Sequence, residues 1–425
     1  MNQIKDLHFK EEILPLFDFA INETSRDRLL QLLTELPVSV EQIHIRQRML
    51  KALLQHPGLF TSPSYARIEL TEAYEATMNN KQRGELLLNN RVSFYLPFAS
   101  VKQQQQKAKV YLLMSFFKRI NTAYFESLDI DAFPEFIKTP LRNIKQLFSD
   151  LKLETYNLVA TRKRFRTSQL IKTMAIIDEK VRSGVMDDFW NTFFLFEAYL
   201  SIARGIRRYD LQFPKFTDGQ FKATGLYHPL IRNPVKNNME VRSTVHLLTG
   251  PNMSGKSTFL RALGLCIYLA HLGLAVPATN CELPFYDFIS IAIDLNDDVQ
   301  SGYSHFITEI ENVKHTVLAA EQGKNCFAIF DELFRGTNSD DALSISLVTI
   351  NGFKRFKNSC FFISTHLHSL KDQIEQDSDI SLQHIDCKFS DGRPVFTYQL
   401  KDGWSDVKIG QMLFEQAGLK ALFSR

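Results

Sequence analysis

The chain has 425 residues, 44% apolar and 23% charged, the range of ordinary globular proteins with roughly two or three domains, which excludes disordered, collagen-like and disulfide-scaffold classes. Fifty Lys and Arg stand against 47 Asp and Glu, so a net charge of +3 announces no nucleic-acid or membrane-surface partner in bulk, although a local patch can still serve one. Only four of the 18 glycines (Gly58, Gly84, Gly184, Gly205) fall in the first 218 residues, and all five cysteines fall after them. Glycine is costly inside helices and needed where backbone turns tightly or approaches a ligand, so a helical front half and a loop-bearing α/β back half are expected. The cysteines are odd in number, widely spaced and set in apolar runs, as in Asn325-Cys326-Phe327-Ala328-Ile329-Phe330, and read as buried reduced thiols. The polar amino terminus MNQIKDLHFKEE is no signal peptide, and the longest apolar run, 263–276, is broken by His271 and too short to span a bilayer, so no membrane is expected and the compartment expected is cytoplasmic.

From residue 7 to 209, Leu and Phe recur at three- and four-residue spacing, the signature of helices buried along one face. Ser39-Val40-Glu41-Gln42, following Pro37, is a capping-box start, and its helix carries Ile43, Met49, Leu50, Leu53 and Leu54 before Pro57 stops it. Further helices are predicted over 64–78, 103–128, 140–158 and 167–208, long enough to act as antiparallel levers or struts, with Gln103 to Gln106 as an exposed helix start. Arg162-Lys163-Arg164-Phe165-Arg166 with Lys172 is the densest basic cluster, a composition that suits phosphate contacts or simply a solvated helix face. Pro214 and Asp218-Gly219 mark a boundary, after which strand-like runs and glycine loops alternate with helices.

Val245-His246-Leu247-Leu248 reads as a buried strand and leads into Thr249-Gly250-Pro251-Asn252-Met253-Ser254-Gly255-Lys256-Ser257-Thr258, a complete phosphate-binding loop with an apolar helix behind it. Glycines let successive backbone N–H groups close around phosphate oxygens while the helix amino terminus adds partial positive charge. Lys256 is expected to reach the β- and γ-phosphates of ATP and the Ser257 hydroxyl to hold Mg²⁺. A second apolar strand ends in Asp331-Glu332, where Asp331 would serve the metal and Glu332 would orient the attacking water. A third, Cys360-Phe361-Phe362-Ile363, ends in Ser364-Thr365-His366, which would put His366 beside the γ-phosphate, with His368 a bystander. Ser301-Gly302 precedes another helix, whose amino terminus is either a further anion site or an ordinary cap.

Together these segments resemble the MutS family of mismatch-repair ATPases, whose ATP-binding domain is of the ABC type. The resemblance rests on Thr249-Gly250-Pro251-Asn252-Met253, Ala275-Val276-Pro277-Ala278, the stretch from Asp331-Glu332 through Arg335-Gly336-Thr337-Asn338-Ser339-Asp340, and Ser364-Thr365-His366. Tyr227-His228-Pro229, Asp402-Gly403 and Gly410 extend it over 225–418, and Leu16-Phe17, Arg26, Leu29-Leu30, Pro37 and Ile45-Arg46-Gln47 are more weakly similar to the start of the family's helical core. It implies an α/β P-loop NTPase domain of ABC type at 216–425, preceded by an all-α helical core and lever domain at 1–215. It further implies ATP hydrolysis with Mg²⁺, a homodimer through the ATPase domains, and clamping on mismatched, branched or distorted DNA in repair or recombination. By the same resemblance Ser301 and Gly302 would contact the partner's γ-phosphate, Thr337 to Asp340 would cross the interface, and the Tyr398 ring would pack on the adenine.

Other expectations follow from departures. No Gly-x-Phe-Tyr-Glu segment occurs, so a mismatch-reading domain is not expected, and the roughly 200 residues between core start and phosphate loop look short for full levers plus a DNA clamp. The chain stops at Arg425, without the family's carboxy-terminal helical arm. A similar engine acting on structured RNA or a ribosomal particle is the alternative. Intact Lys256, Ser257, Asp331 and Glu332 speak against a non-catalytic interaction protein, and the lack of a Leu-Ser-Gly-Gly-Gln signature against a transporter subunit.

Overall fold

The structure, a computed structural model, describes residues 7–61, 65–82, 100–153, 167–293, 305–334, 337–390, 393–405 and 407, with isolated positions at 414 and 422–423. Ser301, Gly302, the cluster 162–166, Arg335-Gly336 and Gly410 lie outside the described residues. The chain divides into two compact units, one comprising Phe17–Thr34 and Ile45–Gly205, the other Met1–Leu16, Glu35–His44 and Ile206–Arg425.

Every described element before Lys215 is helical: α1 (Glu23–Thr34), α2 (Val40–Leu54), α3 (Arg67–Gln82), α4 (Ser100–Ile120), α5 (Glu135–Asp150), α6 (Thr167–Arg182) and α7 (Val185–Arg208), with short turns between them. The start of α2 follows its sequence signal, since the Gln42 N–H donates to Ser39 Oγ at 3.4 Å and the Gln42 side chain reaches back to the Val38 amide at 3.1 Å. Elsewhere the boundaries move. The expected single helix over 167–208 is two, because Gly184 adopts φ +83° and closes α6 before α7 begins. Pro140, read as a helix start, sits inside α5, one turn after its beginning, where it forgoes a single ladder bond.

An aromatic cluster fills the helical unit. Trp190 of α7 stacks on Phe116 and Phe194 with centroids 5.9 and 5.7 Å away and meets Phe189 edge-on at 4.9 Å, while its indole N–H donates to Thr77 Oγ1 at 2.9 Å. Beside it lies one buried carboxyl, Glu197, which takes hydrogen bonds from Asn22 Nδ2 at 2.7 Å, Tyr124 OH at 3.0 Å, Ser25 Oγ at 3.4 Å and the Tyr65 hydroxyl. Burial pushes the Glu197 pKa up despite those donors. Removing the acceptor strands several buried donors at once, so Glu197→Ala is expected to cost at least about 3 kcal/mol in urea unfolding, whereas Glu197→Gln keeps one acceptor oxygen and costs less.

The second unit is built on a six-stranded sheet of order β10-β9-β4-β8-β7-β6, with β4 (Val245–Thr249), β6 (Phe288–Ala292), β7 (Cys326–Phe330), β8 (Cys360–Ser364) and β9 (Ile380–Ser390) parallel and β10 (Arg393–Asp402) antiparallel at one edge. Strands β4, β6, β7 and β8 are buried at every position, as parallel strands covered on both faces must be, and this is why they read as unbroken apolar runs. A smaller sheet, β1-β5-β2-β3, is formed by β1 (Lys215–Phe216), β2 (Lys222–Leu226), β3 (Asn237–Glu240) and β5 (Asn280–Leu283). Helices α8 (Lys256–His271), α9 (His305–Glu321) and α10 (Ser339–Phe353) complete the unit. Register pairs Leu247 with Ile363 and Leu382, and Phe330 with Ile363, so the carboxyl ends of β4, β7 and β8 align along one edge, the usual ligand edge of such sheets. All five cysteines are free and buried, and no described helix is long and apolar enough to cross a membrane.

His271 interrupts the apolar run for a structural reason. Its Nδ1 donates to Ile267 O at 2.9 Å and its Nε2 accepts the Tyr286 N–H at 2.9 Å, so the neutral ring stitches α8 to the segment before β6. Burial lowers its pKa, and that of the buried His246, to about 4. Below about pH 6.5 the unfolded chain takes up protons that these folded rings refuse, so their contribution is complete above that pH and lost as pH falls through 4. Each can contribute up to about 3 kcal/mol, and thermal unfolding followed from pH 7 to pH 4 is expected to show a falling midpoint that His271→Gln makes shallower.

Candidate nucleotide site

Beyond Thr249 the backbone turns through left-handed conformations at Gly250 (φ +141°), Met253 (φ +69°) and Gly255 (φ +98°) before entering α8. Side chains are barred at both glycines: a Cβ on Gly250 would lie 3.0 Å from Ser254 Oγ and 3.2 Å from the Ile385 carbonyl, and one on Gly255 would lie 3.0 Å from Tyr398 Cδ1. No side chain caps the amino terminus of α8, which leaves its first-turn amides facing the loop. Ser254 Oγ is buried with no partner, and Lys256, 6% exposed, folds its ammonium onto the loop's own carbonyls, Gly250 O at 2.8 Å and Pro251 O at 3.3 Å. Burial lowers the Lys256 pKa, and the negative charges of Glu332 and Asp331 partly restore it.

These two carboxylates follow β7, with Glu332 in the left-handed region at φ +53° and Phe334 at φ +63°. Three side chains hold this segment. Ser364 accepts the Glu332 N–H at 2.8 Å and hydrogen-bonds the Asp331 carboxylate Oδ1. His366 Nε2 lies 2.7 Å from Glu332 Oε1. Glu309, buried on α9, accepts the Phe334 N–H at 2.8 Å. Asn338 then caps α10, accepting the amides of Asp340 and Asp341 at 3.1 and 2.9 Å.

A cleft of about 830 Å³ brings together Pro251, Asn252, Met253, Ser254, Gly255, Lys256, Ser257, Thr258, Glu332, His366 and Tyr398, with Thr337 and Ser339 also at its wall. The sequence pattern singles out all of these; Glu309, and Ser364 as a holder of the acidic pair, carry no local pattern to find them by. His368 lines an adjoining smaller cavity of about 330 Å³, which shares Asn252, Met253 and His366 with the cleft and is also lined by Trp404, whose indole N–H is buried without a hydrogen-bond partner. An uncapped helix amino terminus, an unpartnered Ser254 hydroxyl and an ammonium bonded only to carbonyls suit a phosphate chain, and the Ser257 hydroxyl at the cleft wall, with the carboxylate of Asp331 acting on Lys256 beside it, supplies oxygen of the kind a divalent cation takes.

Parallel strands delivering a glycine loop, an acidic pair and a histidine to one edge define a P-loop NTPase-type α/β domain. Residues 246–421 match the model of MutS domain V. The chain is 32% identical over 205 residues to the DNA mismatch repair protein MutS of Bacillus licheniformis, a match covering 46% of this chain and 23% of that protein. Against the MutS of Streptococcus mutans the figures are 34% over 189 residues, 44% and 22%, and against the DNA mismatch repair protein MSH6 of Arabidopsis thaliana 32% over 213 residues, 46% and 16%. Residues 246–421 are thus similar to MutS domain V, the ATPase domain of that family. The match spans less than a quarter of the length of these relatives.

Gly255→Ala combines a left-handed φ with the contact to Tyr398, and denaturant unfolding of this variant is expected to show a loss of at least about 1 kcal/mol.

Proposed function

We propose that the chain is a MutS-type ATPase in which ATP binding and hydrolysis at the cleft drive two ATPase domains to clamp and release on mismatched, branched or distorted DNA. The observation that carries this is the convergence of Lys256, Glu332 and His366 on one cleft beside a glycine loop, with the charge of Asp331 acting on Lys256 next to it. Residues 216–425 are read as the ATPase domain and 1–215 as the helical core and levers it moves.

Incoming phosphates offer Lys256 stronger acceptors than the two carbonyls it now bonds, so binding draws the ammonium out of the loop and onto the β- and γ-phosphates. Ser257 and Asp331 would hold Mg²⁺, which when bound neutralises phosphate charge. Glu332, turned into the cleft by its backbone and steadied by Ser364, orients a water toward the γ-phosphate. His366 donates to Glu332 and so couples the carboxylate to the strand end that carries the imidazole. Phosphoryl transfer asks for little covalent chemistry from the protein, and positioning and charge supply most of the rate. Tyr398 at the mouth is assigned to the adenine. Ser301 and Gly302 are assigned to the partner's γ-phosphate in a homodimer.

Lys256→Ala is expected to abolish ATP binding in calorimetry, while Glu332→Gln binds ATP with turnover reduced about 100-fold or more. Measured with homoduplex, mismatched duplex, four-way junction and structured RNA, the ATPase rate should respond to distorted DNA. Activity surviving Lys256→Ala sinks the site, and a response to RNA alone sinks the DNA reading.

A further inference from the structure

We propose that Asn237, a residue outside the cleft, is the positioning residue for its nucleobase end: it straps a bulge in β10 and thereby holds the Tyr398 ring over the phosphate loop. This rests on the nucleotide reading above.

Strand β10 pairs regularly with β9 up to Phe396, opposite Cys387, and again from Leu400, opposite Ile385. Three residues, 397–399, therefore face the single residue Asp386 across the ladder, and the strand must loop outward. The loop places Tyr398 at φ +56°, a conformation that costs a residue other than glycine about 1 kcal/mol or more and persists only where its surroundings enforce it.

Asn237, at the start of β3, is the enforcement. Its Nδ2 donates to the Tyr398 carbonyl at 3.0 Å, and its Oδ1 accepts the Leu400 N–H at 2.8 Å. One side-chain amide thus satisfies an acceptor within the bulge and a donor at its far end, the pair of bonds that a neighbouring strand would otherwise have made. The strap is itself anchored away from the cleft, because the next residue, Asn238, accepts the Gly225 N–H at 2.9 Å and ties β3 to β2. Within the loop, Thr397 Oγ1 donates to the Asp386 carbonyl at 3.0 Å and fixes the other side.

Held this way, the tyrosine ring lies so close to Gly255 that a Cβ there would meet Cδ1 at 3.0 Å, yet it remains 48% exposed along the cleft. A large ring with one side on the phosphate loop and another open offers a stacking surface to a planar base in the cleft that Lys256 also lines. Asn237 lines no part of that cleft, so its effect reaches a ligand only through the ring.

The test compares ATP with inorganic tripolyphosphate, which has the phosphates and no base, by calorimetry on the full chain. Asn237→Ala is expected to weaken ATP binding about three- to tenfold, as the loss of one or two hydrogen bonds would, and to leave tripolyphosphate binding unchanged. In a Tyr398→Ala background the same substitution should change nothing further, because the two residues act as one unit. Asn237→Asp keeps the acceptor for Leu400 and loses the donor to Tyr398, so it should fall between wild type and Asn237→Ala, and it replaces the alanine variant if that one fails to fold. Wild-type ATP affinity in both Asn237 variants, equal weakening of ATP and tripolyphosphate, or effects that add to Tyr398→Ala would each overturn the strap. A wild-type chain that binds neither compound would instead overturn the nucleotide reading on which it stands.

Discussion

The carboxy-terminal unit is organised around one desolvated ammonium. Lys256 is nearly buried at the mouth of a parallel sheet, and burial alone makes its charge costly. Two carbonyls of the loop and the carboxylates of Asp331 and Glu332 offset that cost, and the two pairs are delivered by different pieces of chain. The loop can fold over the lysine only because glycine stands where Ser254, Ile385 and Tyr398 crowd the backbone. The carboxylates face it only because β7 lies in register with β8, whose last residue, Ser364, holds the Asp331 carboxylate and the Glu332 backbone N–H. Helix α8, which starts at Lys256, is buried along most of its length, and Gly264 lets it sit within van der Waals contact of Ile291 and Ile329 beneath the site. The position of a single charge is thereby referred to the whole sheet.

Much of this was legible in the sequence for the same physical reason that it is stable. Strands covered on both faces are short unbroken apolar runs, so β4, β7 and β8 stood out together with the polar residues at their ends. The phosphate loop carries its own grammar of glycine, lysine and hydroxyl at fixed spacing. What stayed hidden were residues whose partners are distant in sequence. Glu309 and Phe334, Ser364 and Asp331, and Asn237 and Tyr398 are joined only by the fold, and none of the three holders belongs to a local pattern that predicts its task.

In the helical unit, periodicity was enough to announce helices and not enough to end them. The break at Gly184 looks in sequence like an isolated glycine tolerated within a long helix, and only the φ of +83° separates α6 from α7. Pro140 misleads in the opposite direction, since proline favours a helix start yet here lies within α5. The carboxyl of Glu197 is a third case. A charged residue among Phe193, Phe194 and Phe196 suggests an exposed face, and instead it is where Asn22, Tyr65 and Tyr124 meet, so the aromatic core is also a polar junction.

The two tryptophans of the chain happen to divide between the units, and their surroundings differ in kind. Trp190 is sealed among aromatic rings with its indole N–H already bonded to Thr77, so its emission should be blue and indifferent to anything that happens at the surface. Trp404 borders the cavity behind Gly250 and Met253 and keeps an unspent N–H donor. The molecule therefore carries a built-in reference lamp and a built-in reporter, and a change in its fluorescence spectrum upon filling that smaller cavity can be assigned to one ring without introducing a dye.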